Sequence, residues 1–300
     1  MTEKKRVIAL GFFDGVHIGH SALLERTLAV AAQKNLVASV ITFDTHPLSL
    51  ISGKSIPLIN SADDRAWLIQ SIFGIDDVII LHFDRETAGM PWDDFVRSLV
   101  SEFGAQHLVA GHDHRFGSRG EGNPERLQQM CAELGIGCDI IPPVVYKGEL
   151  SSSTIIRSFL TEGDVESANE YLGHPHVLTD NVRYGYRLGR ELGTPTINMT
   201  FDDGVLIPAH GVYATRVYLD GVDRELLGVT NIGTRPTVSD GDAVTAETHI
   251  LDFQGNLYGK PVRLEFFTRT RGEMKFSGID ELREQILRDC DSVRKYFSAN

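Results

Sequence analysis

The sequence has few cysteines, and they are not spaced as metal ligands usually are. Its 300 residues contain three, Cys131, Cys138 and Cys290, and none belongs to a C-x-x-C pair or a zinc-like ligand set. This argues against a disulfide framework and against a structural zinc site. Reduced thiols, and therefore a cytoplasmic protein, are the simplest interpretation.

Positive charge and long apolar runs are also scarce. Lys and Arg number 29 against 41 Asp and Glu, which gives a formal net charge of −12. Duplex nucleic acid is bound through clustered Lys and Arg, so we expect no nucleic-acid partner, although a small anionic ligand is still allowed. The first apolar run is interrupted by Asp14 and His17, and no run approaches transmembrane length. We therefore expect neither a signal peptide nor a membrane contact.

What the first half does contain is a regular alternation of apolar strands and amphipathic helices. From residue 6 to about 142, runs such as "VIALGFF" and "DVIILHF" are separated by helix-length stretches such as "HSALLERTLAVAAQKN". This alternation predicts a doubly wound α/β domain around a parallel sheet. Ligands bind beyond the carboxyl ends of such strands. The candidate site therefore comprises the segments that follow predicted strands: "GFFDGVHIGH", "FDTHP" and "GHDHRFG".

The second half changes to strands joined by Gly, Asp and Pro turns. Asp220 and Gly221 lie between two alternating runs, "GVYATRVYL" and "VDRELLGVTNIG", which is a hairpin signal. Between residues 279 and 293, apolar side chains recur at helical spacing. We predict a small antiparallel β-barrel closed by a C-terminal helix, and domains at residues 1–176 and 177–300.

"GFFDGVHIGH" combines features of a phosphate site at a helix N-terminus. Its glycines let the backbone approach a phosphate closely, and His17 and His20 can donate hydrogen bonds to charge that builds up on a displaced phosphate. The alternative is a strand, turn and helix whose histidines only pack or lie at the surface.

Two further segments contain residue types that could carry chemistry. "SSSTIIR" offers hydroxyls and backbone N–H groups at a helix start, followed one turn later by a guanidinium, and its alternative is an ordinary N-cap. A metal site at His112 and His114 is disfavoured, because Asp113 between them points to the other face of a strand.

In this order, these motifs resemble the adenylyltransferase half of the bacterial bifunctional riboflavin kinase/FMN adenylyltransferases, members of the HxGH nucleotidyltransferase superfamily. The resemblance implies that His17 and His20 contact the ATP phosphates. It also implies that Ser153, Thr154 and Arg157 close over the triphosphate. The other ligand-binding positions implied by these motifs are Gly11, Phe12, Asp14, Gly15, His46, Asp113 and Arg115.

The segments "GRELGTPTINM", "GVTNIGTRPTV", "AETHILDF" and "TRGEMKF" resemble the riboflavin kinase half of the same family, whose fold is a six-stranded β-barrel with a C-terminal helix. The resemblance implies that Thr196 and Asn198 hold ATP-bound Mg²⁺ and that Gly193 is a further ligand-binding position. Glu247 would take the proton from the riboflavin 5′-hydroxyl, and Arg271 falls in the segment that covers the flavin. On the residues alone, Thr196 could belong to a strand-entry turn, and Glu247 could be a solvated strand carboxylate.

Three positions depart from the family pattern. Thr45 replaces the usual Pro before His-Pro, His114 replaces an aromatic residue, and Thr194 replaces the aromatic residue before the Pro of "PTIN". None of these changes removes a phosphate ligand, so they bear on the shape of the adenine or flavin contacts.

The resemblance implies a two-step enzyme that converts riboflavin to FMN and FMN to FAD, with ATP as co-substrate in both steps. Its expected ligands are small molecules: ATP, Mg²⁺, riboflavin, FMN and FAD. Two alternatives stay open. The protein could be a flavin- or nucleotide-binding regulator that lacks an activity, or its first half could transfer a nucleotide to another phosphorylated acceptor.

Overall fold

The computed structural model describes residues 4–184, 194–235 and 243–299. The predicted ligand-binding position Gly193 lies outside these residues.

The chain folds into two compact units, Met1–Ser153 and Thr154–Asn300. The predicted domain boundary at residue 176 lies farther along the chain, after two helices that the structure groups with the second unit. That boundary stays a prediction about where one function ends and the next begins.

The first unit is built on a parallel sheet, as the alternation of strands and helices predicts. Its five strands lie in the order β3-β2-β1-β4-β5, and every neighbouring pair is parallel. The strands are β1 Arg6–Leu10, β2 Val37–Phe43, β3 Asp77–Leu81, β4 Ala105–Gly111 and β5 Gly137–Ile141. The order reverses between β1 and β4, which is where doubly wound sheets open a crevice for ligands.

Helices follow each of the first four strands, and a short hairpin follows the fifth. The helices are α1 Ile18–Lys34, α2 Pro47–Ser52, α3 Ala62–Phe73, α4 Arg85–Gly89, α5 Trp92–Ser101 and α6 Pro124–Glu133. The hairpin pairs β6 Val145–Tyr146 with β7 Glu149–Leu150. The core includes Ile8, Leu108, Val96 and Leu127, all fully buried where the central strands meet α5 and α6. The predicted α/β class is confirmed.

The second unit begins with two helices and continues as an antiparallel sheet. Its strands lie in the order β8-β13-β10-β11-β12-β9. The elements are α7 Ser153–Glu162, α8 Val165–Leu172, β8 His176–Asn181, β9 Thr196–Thr200, β10 Gly211–Leu219, β11 Leu226–Arg235, β12 Ala243–Ile250, β13 Pro261–Arg271 and α9 Ile279–Ala299. Helix α7 starts at Ser153, the last residue of the first unit. The antiparallel sheet with a C-terminal helix confirms the fold class expected for this half.

The edge strands β8 and β9 are joined, so the sheet curves back on itself. Asp180 accepts hydrogen bonds from the backbone N–H of Thr200 at 2.8 Å and from its hydroxyl at 2.9 Å. Inside the sheet, three fully buried threonine hydroxyls form a chain from Thr215 to Thr230 to Thr248, with oxygen separations of 2.8 and 2.9 Å. Helix α9 packs on the other face, where Cys290 and Val293 contact the apolar side chains of β10 and β11.

Candidate active sites

The turn after β1 carries unusual backbone strain. Phe13, Gly15 and Val16 have positive φ angles of 57°, 80° and 44°. A β-branched residue such as Val16 rarely adopts this conformation, and such strain persists only where the surroundings fix it. Buried Asp14 provides one fixing contact, because its carboxylate accepts a 2.8 Å hydrogen bond from the backbone N–H of Ile59.

His17 caps helix α1. Its Nδ1 accepts a hydrogen bond from the backbone N–H of Gly19 at 3.1 Å, and the Ser151 hydroxyl lies 3.4 Å from the same atom. Because Nδ1 accepts, the ring proton of neutral His17 is on Nε2. Gly19 makes this cap possible, since a Cβ at that position would lie 2.9 Å from Cε1 of His17. The Gly of the HxGH motif is thus required by the packing of the first His.

His20 stacks on His17, with ring centroids 3.7 Å apart. Nδ1 of His20 is buried and has no hydrogen-bond partner among the described residues. Burial, the neighbouring His17 and the Arg65 guanidinium hold the pKa of His20 well below 6.5, so the ring is neutral at pH 7. Two stacked imidazoles, that of His20 being neutral, therefore lie at the start of a long helix, where backbone N–H groups and the helix dipole favour an anion.

Arg65 organises the loops around these histidines, and the sequence analysis did not identify it. It is fully buried on α3, where it donates to the backbone carbonyls of Phe12 at 2.6 Å and Phe43 at 2.7 Å. Its guanidinium also lies 4.1 Å from the centroid of the Phe12 ring. Burial lowers the pKa of Arg65 to about 10, while Asp14 and Asp44 act in the opposite direction. The sequence feature that could have pointed to Arg65 is the presence of an arginine on the apolar face of the helix predicted by "DDRAWLIQ".

Several other predicted positions lie beside this turn. His46 caps α2 by accepting from the backbone N–H of Leu48 at 3.2 Å, and its ring lies 4.6 Å from that of Phe12. A Cβ at Gly11 would lie 3.0 Å from the Phe13 ring. The "GFFDG" and "DTHP" segments are therefore brought together.

The third motif, "GHDHRFG", presents two predicted residues to solvent. Asp113 and Arg115 are both exposed just after β4. His114 between them stacks on Phe116, with ring centroids 5.5 Å apart, and its Nε2 is buried with no hydrogen-bond partner among the residues that the structure describes. Burial lowers the pKa of His114 to about 4. The alternative metal site gains no support, because no three His, Cys, Asp or Glu side chains converge anywhere in the described ranges.

Ser153 is the member of "SSSTIIR" that joins the first site. Its hydroxyl donates to the backbone carbonyl of Asp14 at 3.0 Å. Thr154 and Arg157 belong to the second compact unit, at the start of α7. That these two residues close over a triphosphate stays a prediction.

In the second unit, strand pairing aligns the predicted residues in one row. Glu247 on β12 lies opposite Asn198 on β9 and opposite Asn231 on β11. The row continues through Val212 on β10 to Arg271 on β13. Directly opposite residues of an antiparallel pair share a face. Asn198, Glu247 and Arg271, which are far apart in the sequence, thus lie on one face of the sheet. Asn231, which was not predicted, lies in the same row.

A cavity of about 530 Å³ opens over this row. Its lining includes the predicted residues Thr196, Glu247 and Arg271, together with Asn231 and Phe276. The "GEMKF" segment and helix α9 form the facing wall.

Arg271 is fixed at the wall of this cavity. Its guanidinium holds the Asp289 carboxylate of α9 through Nε at 2.9 Å and Nη2 at 2.7 Å. Gln285 also donates to Asp289, at 2.8 Å. Arg271 therefore joins β13 to α9 and gives the cavity a rigid side.

The residues around "PTIN" fit a hard cation. Oγ1 of Thr194 and Oδ1 of Asn198 are buried and have no hydrogen-bond partner in the described parts of the chain. Thr196 lies between them in the sequence, so all three side chains share one face of an extended segment. Hydroxyl and amide oxygens are ligands of the kind that Mg²⁺ accepts beside substrate phosphates.

A second cavity of about 340 Å³ adjoins the same strand. Pro195, Phe253 and Tyr258 contribute to its lining, and Thr196 lines both cavities. The second unit thus offers two binding spaces that meet at the oxygen-rich "PTIN" segment.

Comparison with known proteins assigns each half of the chain to a family. Residues 1–155 match the FAD synthetase family, and residues 172–297 match the riboflavin kinase family. The bifunctional riboflavin kinase/FMN adenylyltransferase of Listeria monocytogenes is 33% identical over 99% of this chain and 94% of its own length. That of Escherichia coli is 35% identical over 97% and 92%.

A solved structure shows the same fold along the chain. A crystal structure described as a macrolide-efflux protein from Streptococcus pneumoniae is 28% identical, with a TM-score of 0.84 over 98% of this chain and 95% of that one. Within the described residues, no helix is both long and apolar enough to cross a membrane. The family matches and the full-length relatives together confirm the predicted resemblance: this chain belongs to the bifunctional riboflavin kinase/FMN adenylyltransferase family.

Proposed function

We propose that this chain makes FAD from riboflavin in two ATP-dependent steps, with the kinase step in the second unit and the adenylyl transfer in the first. The observation that carries the proposal is the alignment of Asn198, Glu247 and Arg271 beside two cavities that meet at Thr196. That arrangement suits a reaction between an alcohol in one space and a nucleotide in the other.

In the kinase step, the riboflavin 5′-oxygen attacks the γ-phosphorus of ATP, and the bond to the β-phosphate oxygen breaks to release ADP. Glu247 accepts the hydroxyl proton as the new P–O bond forms. Thr196 and Asn198, with the unpaired oxygen of Thr194, would hold Mg²⁺, which offsets the charge of the phosphates. Arg271 keeps the cavity wall in place through its ion pair with Asp289.

In the adenylyl transfer, a phosphate oxygen of FMN attacks the α-phosphorus of a second ATP, and pyrophosphate leaves. His17 and His20 stabilise the charge on the departing phosphates, with help from the N–H groups at the start of α1. The attacking group already exists on FMN, so no protein nucleophile is needed. Catalysis then consists of positioning and charge stabilisation.

We also propose Mg²⁺ as cofactor, a cytoplasmic location, and small molecules rather than nucleic acid as ligands. The support is the oxygen-rich "PTIN" site, three free thiols and the net charge of −12.

The test is to incubate the flavin-free protein with riboflavin, ATP and Mg²⁺ and to resolve the flavins by chromatography over time. We expect FMN first and FAD later. FMN alone would contradict the proposed role of the first unit. Bound flavin with no conversion would favour a binding protein, and transfer to a pantetheine or glycerol phosphate in place of FMN would favour a different acceptor.

A further inference from the structure

Glu247 lies between two carboxamides. Asn198 and Asn231 are its direct neighbours on the flanking strands β9 and β11. Directly opposite side chains have Cβ atoms about 4.5 to 5.5 Å apart, so each amide can contact a group that Glu247 also contacts.

The two amides have different surroundings. Asn198 is buried, and its unpaired oxygen belongs with the proposed cation ligands. Asn231 is exposed and lines the larger cavity together with Glu247. A polar group on the wall of a ligand cavity is the usual means of fixing ligand orientation.

The Glu273 carboxylate lies near the Asn231 side chain. Gly233 lies two residues further along β11, and the space that its Cβ would occupy is 2.7 Å from Oε1 of Glu273 and 3.3 Å from Nδ2 of Asn231. Both polar groups therefore lie on the Gly233 side of β11, and both residues line the larger cavity. Oε2 of Glu273 faces Nδ1 of His210 at 3.5 Å, which helps to keep the carboxylate in place. A carboxamide can both donate and accept, so the Asn231 side chain can bond a hydroxyl of a ligand in the cavity.

We propose that Asn231 is a specificity-determining residue of the kinase site, whose carboxamide makes a hydrogen bond with the substrate's polyol chain. The bonded group is the 4′-hydroxyl, next to the 5′-hydroxyl that Glu247 deprotonates. This inference rests on the proposed roles of the cavity and of Glu247. Such a contact would make the site recognise the polyol chain as well as the flat ring. A ligand without the hydroxyl would bind more weakly, because the Asn231 amide would then lack a hydrogen-bond partner.

The test compares Asn231→Ala with the unchanged protein, using riboflavin and 4′-deoxyriboflavin. Kinase turnover gives KM and kcat, and flavin fluorescence gives Kd without turnover. For riboflavin we expect Kd and KM to rise roughly two- to tenfold, the loss of one neutral hydrogen bond, with little change in kcat. With 4′-deoxyriboflavin the two proteins should bind equally, because the bond is already missing.

The matched control is Asn181→Ala, which removes an exposed amide elsewhere in the second unit and should leave both flavins unaffected. An Asn231→Ala protein that binds riboflavin as tightly as the unchanged protein would overturn the inference, and so would an equal loss for both flavins. Glu247→Gln separates this failure from that of the proposed function. If Glu247→Gln retains full kinase turnover, Glu247 is not the base. The Kd values of Asn231→Ala would still show whether the Asn231 amide binds the 4′-hydroxyl, because they are measured without turnover.

Discussion

Arg65 shows how one residue can fix a site without touching a ligand. Its buried guanidinium donates to one backbone carbonyl in the turn after β1 and to another at the end of β2, and it lies against the Phe12 ring. A buried charge held in this way is costly to disturb, because its partners lose hydrogen bonds that water cannot replace.

We therefore expect Arg65→Met to lower the free energy of unfolding by about 2 to 4 kcal/mol. Urea denaturation followed by circular dichroism measures the change, and FMN formation reports separately on the second unit. Arg126→Met is the matched control, since the Arg126 side chain is partly exposed and should cost at most about 1 kcal/mol. A loss no larger than that of the control would contradict the structural role of Arg65.

His176 makes stability depend on pH. It is buried on β8, its Nδ1 has no partner in the described residues, and burial lowers its pKa to about 3. The unfolded chain takes up a proton near pH 6.5 while the folded chain does not, so stability is fully present above pH 6.5 and falls as the pH drops toward 3. His114, with a pKa of about 4, acts in the same direction.

We expect the free energy of unfolding to fall by up to about 1.4 kcal/mol per pH unit for each such histidine below pH 6. His176→Leu should flatten this dependence, as measured by urea midpoints from pH 7 to pH 4. His112→Asn, a change at an exposed histidine, should leave the slope as it was. An unchanged slope in His176→Leu would show that His176 is not the group responsible.

At the scale of an element, the first turn of helix α1 contains a histidine that both caps the helix and belongs to the proposed active site. The His17 ring closes the helix end and occupies the space beside Gly19. Gly19 is the second residue of α1, so an added Cβ acts first on the His17 ring that caps the helix.

We expect Gly19→Ala to displace the His17 ring and to reduce FAD formation from FMN by tenfold or more, on the order of losing one positioned donor. Because the same ring caps the helix, the free energy of unfolding should also fall, by about 1 kcal/mol. Gly89→Ala in α4 is the matched control, because a Cβ there meets nothing within 4 Å. Wild-type FAD formation in Gly19→Ala would mean that the ring does not need its observed position.

The helices, the strands and the motifs could be predicted from the sequence, but the contacts between distant strands could not. Alternating patterns predicted the parallel sheet, the antiparallel sheet and the last helix, because periodicity is a local property. Asn231 was missed because its place beside Glu247 depends on the register between β11 and β12, which no local pattern in the sequence fixes. Arg65 was missed because helical periodicity does not say which backbone carbonyls a buried arginine reaches.

At the scale of the whole molecule, the proposed sites use separate residues, so we expect FMN to pass from one to the other as a free intermediate. His20→Ala should reduce FAD formation by about 10²- to 10³-fold and leave FMN formation intact, since a donor to the departing phosphate is lost. Glu247→Gln should do the reverse. A mixture of the two variants should then make FAD from riboflavin after a lag in which FMN accumulates. A mixture that makes FMN but no FAD would argue against this division.

The buried threonine chain has a direction. The Thr215 hydroxyl donates to the carbonyl of Gly228 at 3.0 Å, so it can only accept from Thr230, which in turn can only accept from Thr248. The three O–H vectors are therefore ordered head to tail across β10, β11 and β12. Thr248→Val would remove one link and leave that order intact, whereas Thr215→Val would free the two remaining hydroxyl protons to reverse. A single backbone carbonyl thus sets the direction of all three O–H bonds in this row of threonines.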